Sequence, residues 1–335
     1  PFNKKMEEIQ DRLYQMKDPK VSIVIVNYNG KNLLDNLLKS ISKLRYKNYE
    51  ILVVDNNSSD GSQDFIRKNF KKARLIGNKT NLGYSGINSA IEFCRGKYML
   101  FLNNDMELDN NSVGELVRAI NSGRDIAMAA PRLVNYYDKN LKSGGTWLSR
   151  AFYNGHIKGT GNEKAKEIPY LGVGLIRKDF VEMFGFLFDP DYFIYGEDVD
   201  LGLRIRLSGK KIMFQPKSIM HHMHSVTMQK QSRSFSTYLM ERNMLITFFK
   251  IFSWKQILLY YPYVKLMRLI AVARDILTLR FDLAYARMNA FFWVLLNFNK
   301  ILKKRKETQK FRKTDDDYIL KVFSEKYIFK EKFNV

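Results

Sequence analysis

Between about residues 21 and 130, short runs of β-branched and aliphatic residues alternate with segments whose apolar residues recur at helical spacing. The first run, VSIVIVNY, has the composition of a buried strand, and KNLLDNLLKSISKL follows it with leucines three and four residues apart. The pattern repeats through YEILVVD, ARLIG and KYMLFLNND. This alternation predicts a doubly wound, Rossmann-like α/β fold with a mostly parallel sheet flanked by helices. Right-handed crossovers would bring the loops after the strands to one edge, where ligands bind.

The alternation stops after Pro131. The Gly-rich stretch over residues 141–170 predicts a substrate loop or a small hairpin, and LGVGLIRKDFVEMFG predicts a strand and then a helix. A further helix should stop at Gly209, before the strand KKIMFQP. From about Ser232 the chain is helical, with aromatic residues interleaved with Lys and Arg. We therefore predict an α/β catalytic unit over residues 20–231 and a basic, aromatic helical unit over residues 232–335.

The formal net charge is +22, which favours an anionic partner such as nucleic acid, an anionic membrane or a phosphorylated substrate, although a solvated basic surface explains it as well. The longest apolar run, MNAFFWVLLNFNK, is too short to span a bilayer. The single cysteine, Cys94, can form no intramolecular disulfide, which fits a reducing compartment. We expect a cytoplasmic protein that does not cross a membrane but can lie on one.

Polar side chains follow three of the predicted strands. Asn27 lies in NYNG after the first strand, Asp55 ends the second, and Asn103, Asn104 and Asp105 end KYMLFLNND. Amides and a carboxylate at a sheet edge suit a nucleotide, and a carboxylate there suits Mg²⁺ or Mn²⁺, although each position alone also fits a turn or a helix cap. The sequence has neither GxGxxG nor a Walker A motif, so it does not predict a dinucleotide site or a P-loop.

Three carboxylates, those of Glu197, Asp198 and Asp200, lie within four positions in YFIYGEDVDLGLRIRL. The pattern fits an acidic helix start stabilised by the helix dipole, and it also fits a general base desolvated by the preceding aromatic residues. Asp200 is four residues before Arg204, a spacing that predicts a structural ion pair. Downstream, PKSIMHHMHSVT offers three histidines as candidate metal ligands.

Taken in order, VSIVIVNYNG, ILVVDNNSSDGS, NLGYSGINSAI, YMLFLNND, GVGLIRKDFVEMFG, GEDVDLGLRIRL and HHMHSVT cover residues 21–227. Over that length the chain resembles the family 2 glycosyltransferases of the GT-A fold, and within them the rhamnosyltransferase-like branch. The resemblance implies a role for each matching position. The nucleotide would be bound by Asn27, Asn29 and Asp55, and the donor would be lined by Asn81, Gly83 and Asn88. The metal triplet would be Asn103, Asn104 and Asp105, with Asp105 as the direct ligand and Asn103 where an aspartate is usual.

The same resemblance implies Asp198 as the general base with Glu197 beside it, and His222, or alternatively His224, on the metal side. The cofactor would be Mg²⁺ or Mn²⁺. The reaction would be inverting transfer from dTDP-rhamnose or a UDP-sugar to a hydroxyl or phosphate of a glycan or polyprenyl-linked acceptor in cell-surface polysaccharide synthesis. The helical tail would lie on the cytoplasmic face of the membrane or pack in a helical core or dimer interface.

Two other classes of function stay open. A catalytically silent scaffold that binds nucleotide-sugar would keep the fold, but Asp55, Asp105 and Asp198 are all present and favour an enzyme. A nucleic-acid-binding protein would explain the charge, but the sequence shows no recognised nucleic-acid motif, so we expect no nucleic-acid partner.

Overall fold

The computed structural model describes residues 18–223 and 232–324 of the chain. Within them, nine strands form one mixed sheet and two further strands form a separate hairpin. The strands are β1 (Val21–Asn27), β2 (Tyr49–Asp55), β3 (Ala73–Gly77), β4 (Tyr98–Asn103), β5 (Met106–Leu108), β6 (Ile126–Asn135), β7 (Ser143–Leu148), β8 (Asn154–Lys158), β9 (Lys166–Ile168), β10 (Gly174–Arg177) and β11 (Lys211–His222).

The helices of the first part of the chain flank this sheet, and the described part of the C-terminal region is helical, as predicted. The helices are α1 (Lys31–Ser42), α2 (Ser62–Asn69), a 3₁₀ helix (Gly83–Phe93), α3 (Ser112–Asn121), α4 (Lys178–Phe184), α5 (Glu197–Leu207), α6 (Arg233–Ile251), α7 (Trp254–Leu277), α8 (Phe281–Leu296), α9 (Phe298–Gln309) and α10 (Asp316–Leu320).

The strand order in the sheet is β3-β2-β1-β4-β10-β6-β11-β5, with β9 beside β11. The first four strands pair in parallel, which confirms the predicted α/β sheet. β10 is antiparallel to both of its neighbours, and the sheet becomes mixed from there. Asn27 lies beside Asp55 in the β1–β2 register, and Val26 lies beside Asn103. The polar residues that end these strands therefore meet at one edge of the sheet.

The structure decides between two predicted alternatives for one element and differs in detail from the sequence prediction for two others. The Gly-rich stretch forms the β7–β8 hairpin, which is one of the two predicted alternatives. The segment predicted as a helix after ARLIG is 3₁₀ rather than α, and its glycines and serines are poor α-helix formers. β11 continues six residues beyond Pro216, because a register shift between Gln215 and Ile219 absorbs the proline, which has no N–H to donate to the ladder.

Two hydrophobic cores support the fold. The first lies around the sheet and buries one face of α1, including Leu34, Leu37 and Ile41. The second joins the two predicted units, because Phe152 and Leu203 pack in it together with Phe248 and other residues of the C-terminal helices. The boundary at residues 231/232 stays a prediction, but the helices after it share a core with α5 and the hairpin.

Buried charges connect the same two regions. The ammonium of Lys250, on α6, lies 2.6 Å from a carboxylate oxygen of Asp189 and 2.7 Å from one of Asp200. Asp200 also pairs with Arg204 at 2.8 Å, which confirms the predicted i,i+4 ion pair. All four side chains are almost fully excluded from solvent. The start of α5 is therefore fixed to α6 by charge pairing as well as by apolar packing.

Candidate active site

Asn27 and Asp55 form the polar end of the parallel strands, and both are buried. The amide of Asn27 donates to Asp55 at 2.9 Å, and its oxygen accepts from the amide of Asn104 at 2.8 Å. The carboxylate of Asp55 also accepts from the backbone N–H and the hydroxyl of Ser58, and from Gln63 at 2.8 Å. Four hydrogen bonds from the protein thus fix the orientation of this carboxylate.

Asn29 stands on the turn that leaves β1, with a left-handed φ of 49°. Its backbone N–H donates to Ser58 Oγ at 2.9 Å, and its side-chain oxygen accepts from the backbone N–H of Ser59 at 2.8 Å. Asparagine adopts this conformation more readily than most residues. The two loops after β1 and β2, predicted to bind the nucleotide, are therefore joined to each other.

Of the three residues predicted to line the donor, Asn81 precedes the 3₁₀ segment, Gly83 begins it and Asn88 lies in its middle. The oxygen of Asn81 accepts from the backbone N–H of Gly83 at 2.9 Å. Gly83 has a φ of +61°, and a Cβ there would lie 2.0 Å from the carbonyl oxygen of Phe193, so the position requires glycine. The side-chain N–H of Asn88 donates to the carbonyl oxygen of Phe188, and its side-chain oxygen accepts from the backbone N–H groups of Leu187 and Phe188. Asn88 thus connects the 3₁₀ helix to the chain that leads to α5.

Asp105 and His222 lie together between β4 and the end of β11. The Nε2 atom of His222 is 3.3 Å from Asp105 Oδ1, and both side chains are nearly buried. Asn103 points its side-chain oxygen into a buried position where no residue in the described ranges donates to it. His221 projects from the opposite face of the strand and pairs instead with Asp109 at 3.1 Å. The alternative ligand, His224, lies outside the described residues.

Glu197 and Asp198 begin α5, directly after two residues with left-handed backbone, Tyr195 and Gly196. Burial raises the pKa of Asp198 to about 6. Burial, and after it the charge of Asp198, raise the pKa of Glu197 well above its ordinary value. The backbone N–H of Val199 donates to Asp198 at 2.8 Å. A methyl group on Gly172 would lie 3.6 Å from Asp198 Cβ, so this glycine leaves room beside the carboxylate.

Tyr84 links the two carboxylate sites, and sequence reasoning missed it. Burial raises its pKa well above 10, and the charges of Asp105, Glu197 and Asp198 raise it further. Its backbone N–H donates to the carbonyl oxygen of Phe193 at 2.8 Å. The proposed metal-side carboxylate and the proposed base therefore both lie near enough to this tyrosine for their charges to act on it. The motif NLGYS contains Tyr84, but nothing in its spacing indicates this position.

Asn243, on α6, is a second residue that the sequence did not indicate. Its buried amide donates to the carbonyl oxygens of Ile194 and Tyr195, at 3.2 and 2.7 Å. It thereby supports the left-handed turn before Glu197 from a position almost fifty residues later in the chain. Such a long-range contact leaves no local pattern in the sequence.

A parallel half-sheet with amides and a carboxylate at one edge, followed by a carboxylate–histidine pair and an acidic helix start, is the arrangement of a GT-A-type fold. Residues 22–177 match the family described as Glycosyl transferase family 2. Over these residues, just under half of its length, the chain therefore carries a domain of glycosyltransferase family 2.

The names of similar proteins are consistent with this family match. The O-antigen biosynthesis protein RfbC of Myxococcus xanthus is 27% identical over 223 residues, which cover 61% of this chain and 17% of that protein. UDP-Glc:alpha-D-GlcNAc-diphosphoundecaprenol beta-1,3-glucosyltransferase WfaP of Escherichia coli is 38% identical over 88 residues, 25% of this chain and 35% of that protein. The chain thus matches only about a third, or less, of the length of these relatives.

The fold is also similar to that of a solved structure, GalNAc-T7 with UDP, GalNAc and Mn²⁺. The TM-score is 0.57, with 19% identity, over 70% of this chain and 48% of the other. At this identity the likeness concerns the fold alone.

Proposed function

We propose that the chain transfers a sugar, with inversion, from a nucleoside-diphosphate donor to a glycan acceptor carried on a lipid. Asp198 acts as the general base that removes the proton of the acceptor hydroxyl, and Asp105 acts on the side of the leaving diphosphate. The observation that carries this proposal is that Asp105 and Asp198 both lie near enough to Tyr84 for their charges to raise its pKa, which places the two carboxylates around one region. An inverting displacement needs a base for the acceptor hydroxyl on one side of the sugar and a group that stabilises the leaving diphosphate on the other side.

The chemistry of Asp198 fits the assigned role. A base must be ionised at the working pH and still bind a proton well, so a pKa of about 6 is better suited than that of an exposed aspartate. Burial and the charge of Asp198 raise the pKa of Glu197 well above its ordinary value, which favours a protonated Glu197 beside an ionised Asp198. Asp200 is neutralised by Arg204 and Lys250 and is not available as a base.

A divalent cation, Mg²⁺ or Mn²⁺, fits the residues present. Asp105 supplies a carboxylate oxygen and His222 a ring nitrogen within 3.3 Å of each other. The buried side-chain oxygen of Asn103, two residues before Asp105, has no hydrogen-bond partner in the described ranges. Across residues 18–223 and 232–324, no three acidic, histidine or cysteine side chains form a metal-binding group. Donor phosphate oxygens and water would therefore complete the coordination. Such a cation would stabilise the charge of the departing diphosphate.

The donor is proposed to be a UDP-sugar, with dTDP-rhamnose as the alternative given by the resemblance. The name of WfaP specifies a UDP-linked glucose and a diphosphoundecaprenol-linked acceptor. The nucleotide loops, formed by Asn27, Asn29 and Asp55, would bind the base and ribose, and the 3₁₀ segment would line the sugar. Cell-surface polysaccharide synthesis is the corresponding process.

The C-terminal helices support a position at a membrane surface. Large apolar side chains of α8 recur at helical spacing and are at least 46% exposed: Phe281, Tyr285, Met288, Phe292, Leu295 and Leu296. Apolar stripes of this kind, next to Lys and Arg, insert into the headgroup layer. No helix in the described ranges is long and apolar enough to span a bilayer. We propose peripheral attachment at the cytoplasmic face.

The test of the enzymatic proposal compares wild type with Asp198→Asn. The variant should lower kcat for sugar transfer by on the order of 10²–10⁴-fold, because the acceptor hydroxyl loses its base. UDP affinity, measured by calorimetry with Mn²⁺, should stay near that of wild type. Turnover of Asp198→Asn within threefold of wild type would contradict the assignment of the base.

Flotation with vesicles containing anionic lipid tests the membrane proposal. Wild type should float, and Tyr285→Ser/Phe292→Ser should float less. Tyr137→Ser is the matched control, because Tyr137 is equally exposed but follows β6 in the catalytic domain. Equal flotation of the double variant and wild type would contradict a role for the α8 stripe.

A further inference from the structure

A groove of about 860 Å³ lies between the β7–β8 hairpin and helices α6, α7 and α8. Four arginines, Arg233, Arg274, Arg280 and Arg287, contribute to its lining, together with aromatic and aliphatic side chains. We call it the arginine groove. Its volume is that of a site for a medium-sized ligand. None of the residues predicted to bind the donor or the metal lines it.

The arginine groove reaches the proposed base through Tyr195. This residue lines the groove and stands two positions before Glu197. Ser236, also in the lining, donates from its hydroxyl to the Tyr195 hydroxyl at 3.2 Å. The left-handed φ of Tyr195, 69°, is a strained backbone conformation of the kind found at functional sites. A molecule in the groove would therefore have one end beside the start of α5.

The groove carries excess positive charge. Arg287 pairs with Glu241 and Asp275, and Arg274 pairs with Asp275 at 2.9 Å. The second partner of Glu241 is Arg268, at 3.0 Å. Three guanidinium groups, those of Arg268, Arg274 and Arg287, thus share two carboxylates. Arg233 and Arg280 are exposed, and neither has an acidic partner among the residues that the structure describes. These two are placed to bind an added anion.

The groove is also continuous with an apolar surface. Ile270 lines it and is 52% exposed, and Leu266 and Leu269 lie next to it on α7 with similar exposure. Leu283, on α8, lines the groove as well, and the exposed stripe of α8 runs beyond it. Cationic and apolar walls side by side match an amphiphile that has an anionic head and a long hydrocarbon chain.

We infer that the arginine groove binds the acceptor, with the diphosphate of a polyprenyl diphosphate at Arg233 and Arg280 and the isoprenoid chain along Ile270 and the exposed face of α7 and α8. The glycan would then extend past Tyr195 to Asp198. This inference rests on the proposed function for the identity of the acceptor class. Arginine suits the role because its planar fork binds phosphate oxygens in pairs.

The experiment measures binding of farnesyl diphosphate, inorganic pyrophosphate and farnesol to the full chain, by tryptophan fluorescence, since Trp147 lines the groove. Farnesyl diphosphate should bind at least tenfold more tightly than either fragment, because it uses both walls. Arg233→Gln and Arg280→Gln should each weaken its binding about tenfold, and the double variant should weaken it more. Lys255→Gln, which removes an exposed cation of α7 outside the groove, should bind it like wild type.

Three results would overturn the inference: no farnesyl diphosphate binding, equal affinity for pyrophosphate, or wild-type affinity in Arg233→Gln/Arg280→Gln. Ile270→Asp provides a second variant on the apolar wall, and it should weaken the binding of farnesyl diphosphate but leave the affinity for pyrophosphate unchanged.

UDP binding to wild type is measured in parallel. A chain that binds farnesyl diphosphate through these arginines but binds no nucleotide would contradict the proposed function and leave the groove in place. A chain that binds UDP but not farnesyl diphosphate would contradict the inference about the arginine groove and leave the proposed function in place.

Discussion

The side-chain amide of Asn243 donates a hydrogen bond of 2.7 Å to the backbone carbonyl oxygen of Tyr195. Both residues of the left-handed pair Tyr195–Gly196 depend on this support, since the strain of such a turn persists only where its surroundings hold it. Asn243→Ala should therefore lower kcat for sugar transfer about tenfold by misplacing Asp198, while the KM for the donor changes little. Steady-state kinetics with both substrates measures the two effects.

Asn110→Ala is the matched control for Asn243→Ala, because it removes an exposed asparagine far from α5 in the chain. It should leave both kinetic constants at their wild-type values. A merely structural role for Asn243 would lower the melting temperature and leave kcat per folded molecule unchanged. That outcome would exclude positioning of the base.

The pH dependence of transfer should reflect Asp198. A general base works only when it is deprotonated, so with a pKa of about 6, kcat/KM should be constant above pH 7 and fall tenfold per unit below about pH 6. Stopped assays at constant ionic strength measure the profile. UDP affinity over the same range separates loss of the base from loss of donor binding. Activity that persists unchanged at pH 4.5 would rule out a carboxylate base with a raised pKa.

The two neighbouring histidines give a sharp test of the metal site. His222→Ala should weaken Mn²⁺ binding in the presence of UDP by about tenfold or more, because it would remove one of the proposed protein ligands. His221→Ala should not, since His221 faces the other way and pairs with Asp109. Calorimetric titration with Mn²⁺ compares the variants, and excess chelator should abolish transfer. Equal Mn²⁺ affinity in both variants would point away from His222.

Much of the catalytic domain was predictable because its local patterns agree with its fold. The β-branched runs predicted the parallel strands. The polar residues at or just after the strand ends indicated Asn27, Asp55 and Asp105, since parallel strands place their carboxyl ends at one edge. The i,i+4 spacing alone predicted the Asp200–Arg204 pair. The prediction of a base within GEDVD depended on the family resemblance, because an acidic helix start has the same local sequence.

Other features arise from contacts between distant segments. The charges of three carboxylates act on Tyr84, whose backbone N–H donates to Phe193, more than a hundred residues later. The arginine groove exists only because α6, α7 and α8 pack beside the β7–β8 hairpin. The sequence showed basic and aromatic residues in the tail but could not show that several arginines converge. Tertiary packing, which leaves no periodic signal, determined these parts of the site.

Lys250 should be among the residues most important for stability. Burial alone would raise the pKa of Asp189, but the charges of Lys250 and Lys304 keep it below its ordinary value. Lys250→Met would leave the buried carboxylates of Asp189 and Asp200 short of a partner. The free energy of unfolding at pH 7 should fall by about 3 kcal/mol, the lower end for a broken buried pair, since Lys304 and Arg204 remain. Urea denaturation measures this loss.

The effect of Lys250→Met should itself depend on pH. Because the folded-state pKa of Asp189 is depressed, its pairing stabilises the fold above the ordinary pKa of aspartate, about 3.9, and that stability is lost as the pH falls below it. The difference in unfolding free energy between wild type and Lys250→Met should therefore shrink on acidification from pH 7 to pH 3.

Lys255→Met, which changes an exposed lysine on α7, should stay within about 0.5 kcal/mol of wild type throughout. A loss in Lys250→Met that is as small as in this control would mean that the buried pair contributes no net stability, as some replacements of buried ion pairs by apolar residues have shown.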